Sequence, residues 1–247
     1  MATVASRPGR FKDLAIDHLF ELGRGPSLRY RPRALHPQAG DARRQPAGAV
    51  AAPFSVRAVT TAPTPHCHRV VELSADQLRN RLSEALRIYV DAMGYPPTTS
   101  QQRAPMWSAH MLRPGWRCAA GLGAEDELLG IGYGYLGTQG QWWHEQVRRG
   151  MLTTHSPAEI EAWTSDYFEL TELHVRPDAQ AAGLGEQILR RLLDRAPGQR
   201  VLLSTPEGPT RAWKLYRRVG FVDVLRNYRF TGDPRPFAVL GRGLPLD

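Results

Sequence analysis

The feature that most constrains this chain is a strand that runs through small residues straight into a helix. Tyr167 to Val175 reads as a strand, and Leu184 to Ala196 reads as a helix with Ile188, Leu189, Leu192 and Leu193 on its inner face. The joint is Val175-Arg176-Pro177-Asp178-Ala179-Gln180-Ala181-Ala182-Gly183-Leu184-Gly185. Side chains this small leave the N–H groups at a helix N-terminus open to an anion, and the helix dipole favours one there. Gln180 to Gly185 are therefore expected to form a nest for a diphosphate.

The elements around this joint predict an α/β domain. His68 to Leu73 is β-prone, and Ser74 with Gln77 has the spacing of a capping box. Leu78, Leu82, Leu86, Tyr89, Val90 and Met93 trace one face of a single helix that should stop near Gly94 to Pro97. A second helix is expected over Gln102 to Leu112. Trp116 to Leu122 and Leu128 to Leu136 read as a hairpin whose glycines invite a close approach of backbone or ligand. A helix is expected over Gln141 to Arg149, a short buried strand over Arg200 to Thr205, and a helix from Pro209 to Val219 with Pro209 in its first turn and Gly220 as its stop. Phe221 to Phe230 and Phe237 to Leu240 supply the last strands.

Charge divides the chain. The net charge is +8, but residues 1–66 hold ten Lys/Arg against four Asp/Glu while the rest holds twenty-two against twenty. From Arg24 to Pro65 the sequence is dense in Pro, Ala, Gly and Arg, too poor in large apolar residues to offset the entropy of ordering. The expected organisation is a largely disordered basic extension over 1–66, with a short amphipathic helix near Phe11 to Leu22, followed by one folded domain over 67–247. Neither a nucleic-acid recognition motif nor a membrane span is evident. Cys67 and Cys118 match no metal or disulfide framework, so reduced structural thiols in a cytoplasmic setting are expected, with no metal. A monomer or homodimer is anticipated.

Two motifs carry a family resemblance. Gln180-Ala181-Ala182-Gly183-Leu184-Gly185, preceded by Leu173, Val175 and Pro177, resembles the Gln/Arg-x-x-Gly-x-Gly/Ala signature of the GNAT N-acetyltransferases. Arg211 to Phe221, with Ala212, Tyr216, Gly220 and Phe221 in step, is similar to the same family's Ala-x-x-x-Tyr-x-x-x-Gly-Phe segment. The resemblance implies a mixed, mostly antiparallel central sheet flanked by helices, with acetyl-CoA as co-substrate. It also implies that the backbone of Leu173 meets the acetyl carbonyl and that Val175 pairs with the pantetheine arm like an added strand. Where the family often carries an Asn, this chain has Pro209, and Thr205 is a candidate substitute. Cofactor-binding residues on this reading are Leu173, Val175, Gln180, Ala181, Ala182, Gly183, Leu184, Gly185 and Thr205.

Acyl transfer to an amine needs a group to take a proton and a group to protonate the departing thiolate; a covalent intermediate is unnecessary if both substrates are held together. The resemblance assigns the second role to Tyr216. For the base, strict alternation along Tyr167 to Val175 puts Glu169 and Glu172 on opposite faces, with Glu169 on that of Leu173 and Val175. Glu169 is the leading candidate, because it stands where family members carry their base glutamate. Glu172 follows should a bulge break the count, and His174 is third. Trp107, Tyr133, Trp142, Trp143 and His144 are candidate walls for the acceptor. The acceptor itself is an amine of a small molecule, peptide or protein, and the contrasting reading is a non-catalytic acyl-CoA-binding module whose basic extension engages another macromolecule.

Overall fold

A computed structural model of the chain describes residues 69–180 and 182–246. The expected extension over 1–66, its short helix, Cys67, His68 and Ala181 lie outside the described residues. Seven strands form one sheet in the order β1-β2-β3-β4-β5-β7-β6: β1 Arg69–Glu72, β2 Arg117–Leu122, β3 Leu128–Gly137, β4 Tyr167–Val175, β5 Arg200–Pro206, β6 Val222–Tyr228 and β7 Phe237–Gly243. Every neighbouring pair is antiparallel except β4 with β5, which is parallel. This is the mixed, mostly antiparallel sheet that was expected.

Helices cover both faces. On one side lie α1 Ala75–Asn80, α2 Leu82–Met93 and α3 Thr99–His110. The capping box forms as its spacing predicts: the Ser74 hydroxyl accepts from Gln77 N–H while the Gln77 side chain accepts from Ser74 N–H. The single helix expected from Leu78 to Met93 is instead two, broken at Arg81, whose backbone leaves the helical region (φ −111°, ψ 13°) and whose guanidinium is anchored to Glu84 and to the Asp126 carbonyl. Gly94 ends α2 in the left-handed conformation, φ 64°.

The opposite face carries α6 Leu184–Leu193 and α7 Arg211–Arg218. Pro209 does not open α7. Thr210 is the N-cap, accepting from Trp213 N–H, so Pro209 precedes the helix. The glycines of β3 admit a helix: a Cβ at Gly130 would lie 2.8 Å from Ile188, and one at Gly132 would lie 3.0 Å from it. Between β3 and β4, α4 Trp142–Met151 is followed by α5 Pro157–Thr164, which was not foreseen although Ser156, Pro157 and Glu159 form a second capping box. Apolar side chains collect in three clusters: one under α6 and α7, one under α1 to α3, and one around α4, α5 and the β5-β7-β6 side.

Candidate active site

The sheet opens in its middle. β4 and β5 pair only over Tyr167–Glu169 opposite Arg200–Leu202; beyond that point β4 continues on β3 and β5 continues on β7. Arg176 N–H donates to the Leu129 carbonyl at 2.8 Å. By the alternation of an antiparallel ladder, the backbone groups of Leu173 and Val175, opposite Gly132 and Gly130, then turn away from β3 and toward the opening. An unpaired strand edge of this kind is what an extended ligand pairs with.

A bulge sits in the same stretch of β4. Tyr133 faces Glu172 and the next residue, Gly134, faces Leu170, so Thr171 is the extra residue. The strict alternation expected for this strand therefore fails. Glu169 does not share a face with Leu173 and Val175; it lies with Glu172 and His174 on the side of Tyr133 and Tyr135, while Leu170, Leu173 and Val175 pack on the α6 side. The two carboxylates and the imidazole that alternation would have separated are gathered together.

Their surroundings differ. Glu169 is 4% exposed; the Tyr135 hydroxyl donates to its Oε1 at 3.3 Å, and its Oε2 is buried with no partner among the described residues. Burial raises its pKa to about 8; hydrogen bonding from Tyr135 and the charge of Arg113 oppose this, and the charge of Glu172 reinforces it. The Glu172 carboxylate meets His174 Nε2 at 2.5 Å, and the His174 and Tyr89 rings pack edge to face with centroids 5.1 Å apart.

Tyr216 is buried in the same cluster as Leu170 and Leu203, the first residues beyond the parting of the strands. Its hydroxyl has no hydrogen-bond partner among the described residues. Burial, with a contribution from Glu172, holds its pKa above the usual phenol range, so it keeps its proton.

The expected cradle spans the turn after β4, of which Ala181 lies outside the described residues. A 3₁₀ turn over Pro177–Ala179 leads to Gln180, and Gly183 adopts φ 78° as the N-cap of α6. A left-handed φ of this kind strains any residue bearing a Cβ. At Gly185 a Cβ would meet Val175 at 3.5 Å and Leu215 at 3.7 Å, so the absent side chain keeps open a narrow space between strand and helix. Leu184 turns its side chain into the core. Gln180 spans the turn, donating from Nε2 to the Val175 carbonyl at 3.0 Å and accepting from Arg211 Nη1 at 2.8 Å. Ala182 is exposed beside it, and Thr205 is buried on β5 with its hydroxyl unpaired among the described residues. The uncrowded space at Gly183 and Gly185, beside the open edge of β4, fits a pantetheine diphosphate.

The expected aromatic wall is not one surface. Trp107 and Tyr133 are fully buried under α1 to α3, where the Tyr133 hydroxyl meets His110 Nδ1 at 3.0 Å. Trp142, Trp143 and His144 belong to the cluster around α4 or its margin; Trp143 Nε1 donates to Ser204 Oγ at 3.2 Å and His144 Nδ1 lies 3.2 Å from the Tyr167 hydroxyl. Tyr89 and Tyr135 touch the functional groups instead. Tyr135 was legible in principle, since it shares the parity of Tyr133 on β3 and falls opposite Glu169. Cys118 is buried, and burial raises its thiol pKa far above the usual range, which suits a structural thiol. Among the described residues no group of three His, Cys, Asp or Glu could hold a metal, and no helix is long and apolar enough to cross a membrane.

Known proteins resemble the chain in sequence and in fold. Residues 84–221 match the model of the acetyltransferase (GNAT) family. A GCN5-like protein acetyltransferase of Mycobacterium tuberculosis is 45% identical over 202 residues, spanning 72% of this chain and 98% of that protein. In fold alone, the chain resembles a structure assigned to the GNAT family from Desulfovibrio desulfuricans, at 14% identity and TM-score 0.50 over 71% of this chain and 98% of that one. It also resembles a structure assigned as an acetyltransferase from Acinetobacter baylyi, at 15% identity and TM-score 0.51 over 74% and 97%. With the family match over residues 84–221 and a relative 45% identical along almost its whole length, the chain belongs to the GNAT family of acetyltransferases.

Proposed function

We propose that this acetyltransferase uses acetyl-CoA to acetylate an amine on another protein, by direct transfer. The observation that carries the reading is the bulge at Thr171, which puts Glu169, Glu172 and His174 on one side of β4 while Leu173 and Val175 turn main-chain groups into the opening beside the cradle. A protein acceptor is suggested by the Mycobacterium tuberculosis relative, which is named a protein acetyltransferase. Acetyl-CoA would be held by the main chain from Gln180 to Gly185, including Ala181, Ala182 and Leu184, with Leu173, Val175 and the Thr205 hydroxyl along its arm; it supplies an acetyl thioester. No metal is part of the scheme.

The chain's own groups then divide the proton work. Glu172 lies beyond the parting of the strands, next to Leu173, whereas Glu169 is at the last position still paired with β5. Glu172 therefore takes the amine proton, with His174 orienting its carboxylate. Glu169, with its raised pKa, stays largely protonated at neutral pH and limits the negative charge beside Glu172. Tyr216 retains its proton and gives it to the departing sulfur.

The test is steady-state release of free CoA from acetyl-CoA with a lysine peptide, together with the acetyl mass gain on the peptide. Tyr216→Phe and Glu172→Gln should each lower kcat about a hundredfold or more while acetyl-CoA still binds. Turnover unaffected by both substitutions would remove the assigned roles. Binding of acetyl-CoA with no release to any amine would point to the contrasting reading, an acyl-CoA-binding module.

A further inference from the structure

Three guanidinium groups, two over aromatic rings and one on a tyrosine hydroxyl, are linked through aromatic side chains to the carboxyl groups of β4. Arg103 lies over the Tyr89 ring at 6.0 Å, and Tyr89 meets His174, the partner of Glu172. Arg113 lies over the Tyr135 ring at 5.7 Å, and the Tyr135 hydroxyl donates to Glu169. Arg235, from the loop between β6 and β7, donates to the Tyr95 hydroxyl at 3.2 Å, and the Tyr95 ring packs on Tyr89 at 5.5 Å. Each positive charge is thus one or two rings outward from Glu169 or the Glu172–His174 pair.

The arrangement is held in place. Asp233 grips Arg235 through Nε and Nη2, and Phe237 supports the guanidinium at 5.4 Å, yet the Arg235 side chain is 48% exposed and has donors to spare. Arg113 is half-buried and makes no ion pair among the described residues. The pattern is the Glu172 carboxylate inside a rim of three guanidiniums set against the single carboxylate of Asp233. A free polyamine brings only positive charge to such a rim and is repelled by it. A lysine flanked by acids satisfies both zones, its ammonium going to the Glu172 carboxylate and its neighbours to the guanidiniums.

We infer that the acceptor is a lysine within an acid-rich stretch of a partner protein, read by Arg113 and Arg235. This rests on the protein-acetylating reading above, and one experiment separates the two. The full chain is given acetyl-CoA with three lysine peptides of equal length, flanked by Glu, by Ser or by Arg, and with Nα-acetyl-lysine amide, and CoA release is followed at low and high salt. The Glu-flanked peptide is expected to lead the Ser-flanked one in kcat/KM by roughly tenfold at low salt, chiefly through KM, with the Arg-flanked peptide last; salt should compress the series. Arg113→Gln and Arg235→Gln should each shrink the Glu-to-Ser ratio to about twofold, with calorimetric acetyl-CoA affinity as the check on folding. The salt series on the unaltered chain needs no variant to fold. Equal turnover of all three peptides, or a lead for the Arg-flanked one, overturns the charged rim while leaving protein acetylation intact. Release with the lysine amide but with no peptide overturns both.

Discussion

Tyr135 satisfies one oxygen of Glu169 and leaves the other buried without a partner among the described residues, an asymmetry that bears on stability. In the unfolded chain the carboxyl titrates near 4.5, whereas in the fold its pKa is about 8. Between those values the native state binds the extra proton, so this residue's contribution is fully present below about pH 4.5, falls as pH rises and is gone above about 8. His110 acts in the opposite sense: burial lowers its pKa to about 4, so stability falls as pH drops through the range between 6.5 and that value. Glu169→Gln should therefore gain on the order of a few kcal/mol over the native protein at pH 9 relative to pH 5, read from urea midpoints across pH. An unchanged difference between the two pH values would show that Glu169 is hydrated in solution. Three side-chain identities at this site could be read from the sequence, but not the face each takes, because one unpaired residue, Thr171, inverts the count for everything before it in the strand.

At the scale of elements, the bulge depends on the residue opposite it. A Cβ at Gly134 would lie 2.1 Å from the Glu169 carbonyl oxygen, which is main chain and has nowhere to retreat. Gly134→Ala should cost about 3 kcal/mol and shift the Glu169 environment, measurable as a lower melting temperature together with reduced turnover. The cradle offers a contrast. Gly185→Ala meets only ordinary contacts and should leave stability within about 0.5 kcal/mol of the native value while weakening acetyl-CoA binding, whereas Gly183→Ala carries a backbone cost of roughly 1–2 kcal/mol at its left-handed φ. Helix α6 is closed at its other end by Arg117, whose guanidinium donates to the carbonyls of Leu192, Asp194 and Arg195. Arg117→Ala should destabilise the fold by about 1.5–3 kcal/mol, seen as a drop in urea midpoint with no change in slope. The Ser74–Gln77 capping box and the Gly94 stop were legible locally; α5 carried the same signal at Ser156 and Glu159, after the one helix expected between β3 and β4.

Across the whole molecule, two half-sheets are joined by only three residue pairs of β4 and β5, and the line where they part is where the ligand would add its own strand. Amide exchange should report this directly. The N–H groups of Leu173 and Val175 should exchange faster than those of His174 and Arg176, which face β3, and acetyl-CoA should slow the first pair selectively; uniform protection before and after addition would contradict an open edge. What the sequence by itself determined was local: the strand-to-helix joint, the small residues at Gly183 and Gly185, the periodic faces of α2 and α6, and the Tyr216 motif, each set by side-chain size or spacing along a few turns of chain. What only the tertiary structure decided was which groups meet. The bulge opposite Gly134 brings Glu169, Glu172 and His174 to one face, and residues as distant in sequence as Tyr95 and Arg235 come together above them. Register and long-range contact depend on how whole strands pair, and no spacing within a single segment encodes that.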